Sequence, residues 1–342
     1  MAAAHGIKFR TDKDFAYAQN LVETVAWLAG QPDYLDDLRE AVQSLDLFTR
    51  IRGRARSAKV FEWLASAMSF QGISDQVAQN YLSDHGRPRW ATIARGVRIG
   101  ACPLLKSYWH FHGCHYRKSS QTCALPQLMA TCSLPRDRFR NGNLNQLAYS
   151  FFLFIRDVAG GDLVRWIDGR LAEADFGPDR IASMAAAIIG PLSGIHGLAD
   201  KVLNMTLADL LVVGHAHNPR WGEVGGSLIA IDSLVHNFLA RTGILKRARA
   251  SHPYGPQCYG AAGCAAVLRH LSDGIDARQF NAAFPRYFPR YVQRSIWAYC
   301  SEEGLHICNG RTVDDSRRCK NQDCRLFYGC DRVALRQAGK RA

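Results

Sequence analysis

"PLSGIHGLADKVLNMTLADLL", residues 191–211, carries an apolar helical pattern on both sides of one short turn. The turn is "LSGIHG", with Gly194 and Gly197 at its corners. Glycine there permits a sharp reversal and lets another group approach the backbone closely. Where a helix starts after such a turn, its open N–H groups and its dipole together suit a phosphate. An ordinary helix–helix connection has the same pattern, so the turn alone establishes only that two helices meet here.

Helical periodicity continues outward from this stretch. Val60, Phe61, Leu64, Ala67 and Met68 mark one helix face; Leu144, Leu147, Ala148, Phe151, Phe152 and Ile155 mark another; Leu234, Val235, Phe238 and Leu239 mark a third. No alternating run of strand length is found, and no Asn-Gly hairpin lies between apolar runs. The expectation is an all-α chain of many helices and short loops, without internal repeats. Breaks rich in Gly, Pro and polar residues at 84–90, 133–143, 215–227 and 251–263 are expected to be loops.

The chain has 342 residues, 47% of them hydrophobic, enough for a substantial core. Lys and Arg number 43 against 30 Asp and Glu, a net charge of +13. That balance favours a polyanionic partner, nucleic acid foremost, with a merely basic soluble enzyme as the alternative. The start, "MAAAHGIKFRTDKDF", has no apolar run of the secretory kind. The most apolar stretch, "LAYSFFLFI" (147–155), is far shorter than the ~20 residues of a bilayer span and reads as a buried helix. The expectation is a soluble, intracellular monomer with no membrane partner, cytoplasmic, and nucleoid-associated in a bacterium. Eleven cysteines, an odd number, in such a compartment point to metal binding rather than disulfides.

Four of those cysteines, Cys308, Cys319, Cys324 and Cys330, crowd into "CNGRTVDDSRRCKNQDCRLFYGC" (308–330). Four thiolates suit zinc or an iron–sulfur cluster, and spacing alone does not choose. In "IAIDSLVHNFLARTGIL" (229–245), Asp232 follows an apolar triplet and opens an amphipathic helix. Its carboxylate can cap that helix.

In this order, the L-x-G-I-x-G turn, the Ala-Ile-Asp-Ser helix start followed by Arg241-Thr242-Gly243, and the C-terminal cysteines resemble the helix-hairpin-helix DNA glycosylase superfamily, in its iron–sulfur branch typified by endonuclease III. "FEWLASAMSFQGISDQVAQNYL" (61–82) is similar to the stretch that in this family inserts a polar residue into the duplex; the matching residue is Gln71. The resemblance covers residues 55–82, 190–245 and 300–330.

The resemblance implies two helical domains: 55–205, ending in the hairpin, and 1–54 with 206–342, carrying the catalytic aspartate and the cysteine loop. It implies double-stranded DNA as partner, its backbone gripped at Gly194 and Gly197, and a damaged or modified base flipped out and released through Asp232. It implies a [4Fe–4S] cluster on Cys308, Cys319, Cys324 and Cys330, with zinc as the alternative. The first two gaps are longer than the family's, which makes Cys300 a substitute ligand, whereas the last gap equals it. Arg311, Arg317 and Arg318, in the cluster's first loop, are implied phosphate contacts. Some members also cut the strand with a lysine. Here the aligned position is Leu198, and Lys201, three residues on, is the possible lyase nucleophile or a plain DNA contact, so a glycosylase without strand cleavage is expected. Ser66 stands near the position of the catalytic glutamate of the adenine-mismatch branch, against that specificity. A DNA-binding protein that keeps the scaffold and cluster without catalysis is the second reading.

The stretch 102–132 is unusual for the family. Tyr108, Trp109, Phe111 and Tyr116, with His110, His112 and His115, interleave with Lys106, Arg117 and Lys118. They suit either stacking on an extruded base or the core face of a helix. A second metal site on Cys102, Cys114, Cys123 and Cys132 is conceivable, although their spacing matches no familiar zinc signature. Cys258 and Cys264 are expected to be buried or incidental thiols.

Overall fold

The computed structural model describes residues 7–43, 54–68, 75–117, 119–136 and 142–335. Its helices, in chain order, are α1 (Asp12–Ala29), α2 (Tyr34–Gln43), α3 (Arg54–Met68), α4 (Asp75–His85), α5 (Trp90–Ile99), α6 (Tyr108–Phe111), α7 (Gly142–Asp157) and α8 (Leu163–Ala174). They continue as α9 (Arg180–Ser193), α10 (Asp200–Val213), α11 (Pro219–Ser227), α12 (Ser233–Arg241), α13 (Ile244–Arg247), α14 (Cys264–Ser272) and α15 (Pro289–Cys300). Among the described residues there is no strand, only an isolated bridge between Arg117 and Thr122. The all-α expectation holds. None of the described helices is long and apolar enough to cross a membrane.

Two compact units emerge. One is built from Met1–Leu38, Ala208–His215 and Trp221–Ala342, the other from Arg39–Leu207 and Ala216–Arg220. In the first, α1, α12 and α14 pack against α15. Leu21, Val25, Val235, Phe238, Leu268 and Ile296 form its apolar centre. Thr11 starts α1 by accepting the Asp14 N–H, which satisfies one of the donors a helix leaves open at its N-terminus. Arg290 is buried in this unit, where it meets Asp209 at 3.0 Å and the Gln293 side chain at 2.6 Å. Those partners make a buried guanidinium tolerable.

In the second unit α7 runs through the core, with residues 144–155 buried. Phe151 stacks on Phe61 of α3 with ring centres 5.3 Å apart, and Phe152 meets Trp90 of α5 at 4.5 Å. Asp162 caps α8 through the Arg165 N–H and receives both Arg56 hydrogen bonds at 3.0 Å.

The stretch 215–227, expected to be a loop, is largely helix α11. Pro219 occupies its first position, where a missing N–H costs nothing. Its glycines serve packing, not turns. A Cβ on Gly225 would lie 2.7 Å from the Val212 backbone nitrogen and 3.0 Å from the Ala208 carbonyl, and one on Gly226 would lie 3.2 Å from the Phe288 ring. Bare backbone on one face of α11 therefore lets α10 and Phe288 come close.

Candidate functional site

Helix α12 carries a charged candidate residue at each end. At the start, Asp232 is the N-cap, and its Oδ1 accepts the Val235 N–H at 2.9 Å. Ile229, Ala230 and Ile231, which lead into it, are fully buried. The Ala230 N–H donates to Gln293 Oε1 and the Ile231 N–H donates to the Tyr259 hydroxyl at 2.8 Å. With these donors satisfied, the approach to Asp232 is held from both sides. The carboxylate itself is partly exposed. Tyr254, 50% exposed, stands near it: burial raises that phenol's pKa, and the charge of Asp232 raises it further.

At the other end is Arg241, only 1% exposed. Its Nη2 pairs with Asp315, while Nε and Nη1 have no hydrogen-bond partner. The guanidinium lines a cavity whose wall also holds Cys308, Cys319, Cys324, Cys330 and Tyr299. The Val333 N–H donates to the Arg241 carbonyl at 2.8 Å, tying the cysteine loop to the end of α12. Cys330 Sγ accepts the Arg332 N–H at 3.3 Å, and the Tyr299 hydroxyl lies 3.1 Å from Cys324 Sγ. Burial pushes the Cys330 thiol up to about 12 and raises Cys324. Cys308 is lowered, first by a hydrogen bond with Cys300 and then by Arg241. Cys300 is buried next to Cys308 but is not on the cavity wall. A metal at these thiols would have to displace protons on binding.

Arg311, Arg317 and Arg318 are exposed on the same loop. Arg311 pairs with Glu302, and Arg317 lies 3.5 Å from Asp314. Exposed pairs of this kind are worth little and give way readily to a stronger anion.

A second group converges in the same unit. His236, one turn beyond Asp232 on α12, places Nδ1 3.3 Å from Cys264 Sγ and 3.6 Å from Cys258 Sγ. His252 Nε2 lies 3.5 Å from Cys264 Sγ. The four ligand atoms lie within 4.8 Å of one another and could hold a metal ion. The hydrogen bond from Cys264 draws the Cys258 thiol down to about 5, with burial opposing, and Cys264 rises correspondingly. Burial lowers His236. Cys258 and Cys264 are buried, as expected, and they also belong to a group that could hold a metal ion. Composition and spacing alone missed both histidines, and the available signal was His252, Cys258 and Cys264 spaced evenly along one glycine-rich loop.

In the other unit, six residues join α9 to α10. Gly194 and Gly197 are exposed at this turn and Ile195 is buried beneath it. Gly197 has φ +76°, the left-handed region that glycine enters freely. The His196 N–H donates to Ser150 Oγ at 3.0 Å. A Cβ on Gly194 would lie 2.8 Å from the Tyr108 hydroxyl. Leu198 belongs to the turn, ahead of the helix that starts at Asp200, so it shares no helix face with the partly exposed Lys201. Ser66 is buried and its hydroxyl donates to the Glu62 carbonyl. Gln71 and Lys118 lie outside the described residues.

The aromatics of 102–132 divide by side. Tyr108, Phe111 and Tyr116 are buried, whereas Trp109, 62% exposed, faces outward with His110, His112 and His115. The core-face reading accounts for the first three. Cys132 is pushed up to about 11 by burial, with Cys123, Cys102 and Cys114 adding to the rise, so these four thiols gather in one region. Among the described residues, however, no three of them converge as His236, His252, Cys258 and Cys264 do.

No protein-family model, curated protein or solved structure matches this chain.

Proposed function

We propose that the chain is a monomeric helix-hairpin-helix DNA glycosylase that releases a damaged or modified base from double-stranded DNA without cutting the strand. One observation carries this reading: α12 joins Asp232 at its start to Arg241 in the cysteine cavity at its end. The resemblance implies a catalytic aspartate followed by a cluster loop, and the rigid element between them makes that order a spatial arrangement.

We also propose that Cys308, Cys319, Cys324 and Cys330 hold a [4Fe–4S] cluster. Tetrahedral zinc with Zn–S bonds near ~2.3 Å would bring its sulfurs to about 3.8 Å from one another. Among the described residues no three of these sulfurs meet within the 4.8 Å of the histidine–cysteine group. They line one common cavity instead. Arg241, buried with two unpartnered nitrogens, suits a net anion there. A cluster bound here supplies a cross-link that fixes the C-terminal loop.

The chemistry assigned to Asp232 follows from the bond to be broken. A base must leave the stack before its glycosidic bond is reachable. Cleavage builds positive charge on the sugar, and a fixed carboxylate stabilises that charge or orients an attacking water. The Val235 N–H holds the carboxylate without neutralising it. Half-exposed Tyr254 beside it offers a ring on which a base can stack. The net charge of +13, the exposed Gly194–Gly197 turn and Arg311, Arg317 and Arg318 are suited to the phosphate backbone.

The test is Asp232→Asn, since asparagine caps a helix about as well as aspartate but carries no charge. Base release from oligonucleotides that each carry one candidate base is expected to fall by roughly 10²–10³-fold while duplex binding is retained. Release at the parental rate would refute the assignment. Binding with no release from any substrate would favour a non-catalytic DNA-binding protein.

A further inference from the structure

We infer that His236, His252, Cys258 and Cys264 form a tetrahedral zinc site that fastens the 251–263 loop to helix α12. The inference is independent of the glycosylase reading and of the cluster.

The geometry is that of a closed N₂S₂ site. Bonds of ~2.0–2.1 Å to nitrogen and ~2.3 Å to sulfur around a tetrahedral ion leave each nitrogen about 3.6 Å from each sulfur. Three of the four nitrogen–sulfur distances are 3.3, 3.6 and 3.5 Å. All four ligand atoms lie within 4.8 Å of one another, so a small inward shift of the side chains would bring them onto one ion. Imidazole with thiolate selects zinc over the hard cations magnesium and calcium. Four protein ligands leave no position for substrate, which marks a structural rather than a catalytic ion.

The surroundings prepare the ligands. His252 Nδ1 lies 2.8 Å from the Pro253 carbonyl, so its N–H donates there and leaves Nε2 with the lone pair. Metal-binding histidines commonly have such an outer partner. Cys258, Cys264 and His236 are buried, and the site is shut from water on those sides. The loop is bent to reach. Gly255 has φ +149°, and a Cβ on Gly263 would lie 2.3 Å from the Gln257 carbonyl oxygen and 2.5 Å from that of Cys258. Such a tight bend delivers Cys258 and Cys264 to the same point.

Thiol–imidazole hydrogen bonds, one from each thiol proton, would account for two contacts. They do not account for three nitrogen–sulfur contacts around a common centre. The loop between its ligands also carries Tyr254, whose ring lies 5.7 Å from that of His236. The ion would thus set where Tyr254 stands beside Asp232.

The experiment is elemental analysis of the full chain, purified without chelator and dialysed against EDTA, together with cobalt(II) exchange. Zinc is expected at about one ion per chain. The cobalt form is expected to show the intense visible bands of a tetrahedral ion with thiolate-to-metal charge transfer. Cys258→Ser and His252→Ala are each expected to lower zinc affinity more than ~100-fold, beyond the effect of losing an outer-shell partner. Iron content should be unchanged, which separates this site from the cysteine cavity. Should Cys258→Ser not fold, His252→Ala on the partly exposed side and the cobalt spectrum of the parent decide. Full zinc retention in the folded variants overturns the inference. So does a parent chain with neither zinc nor tetrahedral cobalt bands, and so does zinc that is lost in Cys123→Ser but kept in Cys258→Ser.

Discussion

Replacing Arg241 with methionine changes stability in opposite directions according to what fills the cysteine cavity. The side chain is 1% exposed, Nη2 meets Asp315, and Nε and Nη1 have no partner. If only neutral thiols surrounded it, a buried cation would be half satisfied. An apolar isostere would then be neutral or stabilising by about 1–4 kcal/mol. If a thiolate-bound cluster lies there, Arg241 faces a net anion, and its removal strands buried negative charge. Losing one partner of a buried pair costs about 3–5 kcal/mol, and partial exposure of Asp315 places the expected loss near 3 kcal/mol. For a unit of this size that corresponds to roughly 6–12 °C in Tm. The assay is anaerobic thermal unfolding of parent and Arg241→Met, followed by helical circular dichroism and by the visible absorption of iron–sulfur centres. The methionine variant is expected to melt earlier and to bleach faster with chelator. Arg241→Lys, which keeps charge but not the planar fork, should fall between. A methionine variant that melts at or above the parent temperature with its iron intact would refute an anionic group in the cavity.

Three further outcomes are expected. Gly225→Ala should cost about 1–3 kcal/mol, because the new methyl would lie 2.7 Å from the Val212 nitrogen; an unchanged urea midpoint would count against close packing of α11 on α10. Lys201 is partly exposed in the first turn of α10, and borohydride is expected to trap no covalent DNA adduct; an adduct that disappears in Lys201→Gln would instead make Lys201 a lyase nucleophile. Arg247, then Thr11, holds Asp14 below the ordinary carboxylate range, so its stabilising effect is present above that range and is lost as pH falls through the lowered value; Asp14→Asn should flatten the acid limb of a Tm–pH profile, and an unaltered limb would assign the acid sensitivity elsewhere.

What was legible in the sequence was determined over one or two helical turns. The apolar faces of α3, α7 and α12 repeat at helical spacing, and residues 147–155 are buried, as a short apolar run within a helical pattern implies. Asp232 could be recognised as a cap because its partner is three residues away. Glycines were the ambiguous letters. In 215–227 they resemble turn residues, yet they lie in α11 because Ala208, Val212 and Phe288 need bare backbone there. Nothing local distinguishes a glycine that turns the chain from one that admits a neighbour.

The harder cases depend on partners far along the chain. Arg241 ends an amphipathic helix at a position that usually faces water, but Asp315, 74 residues on, folds over it. His236 has the spacing of a core residue on α12, and its identity as a potential ligand appears only when Cys258 and Cys264 arrive from a loop after α13. Both long-range encounters occur on α12, which carries Asp232 at its start. If both centres are metallated, the carboxylate's position is fixed twice: through His236 one turn away, and through Arg241 at the far end. Loss of either centre should then affect Asp232 chemistry without touching the aspartate itself, and loss of zinc alone should do so with iron fully retained.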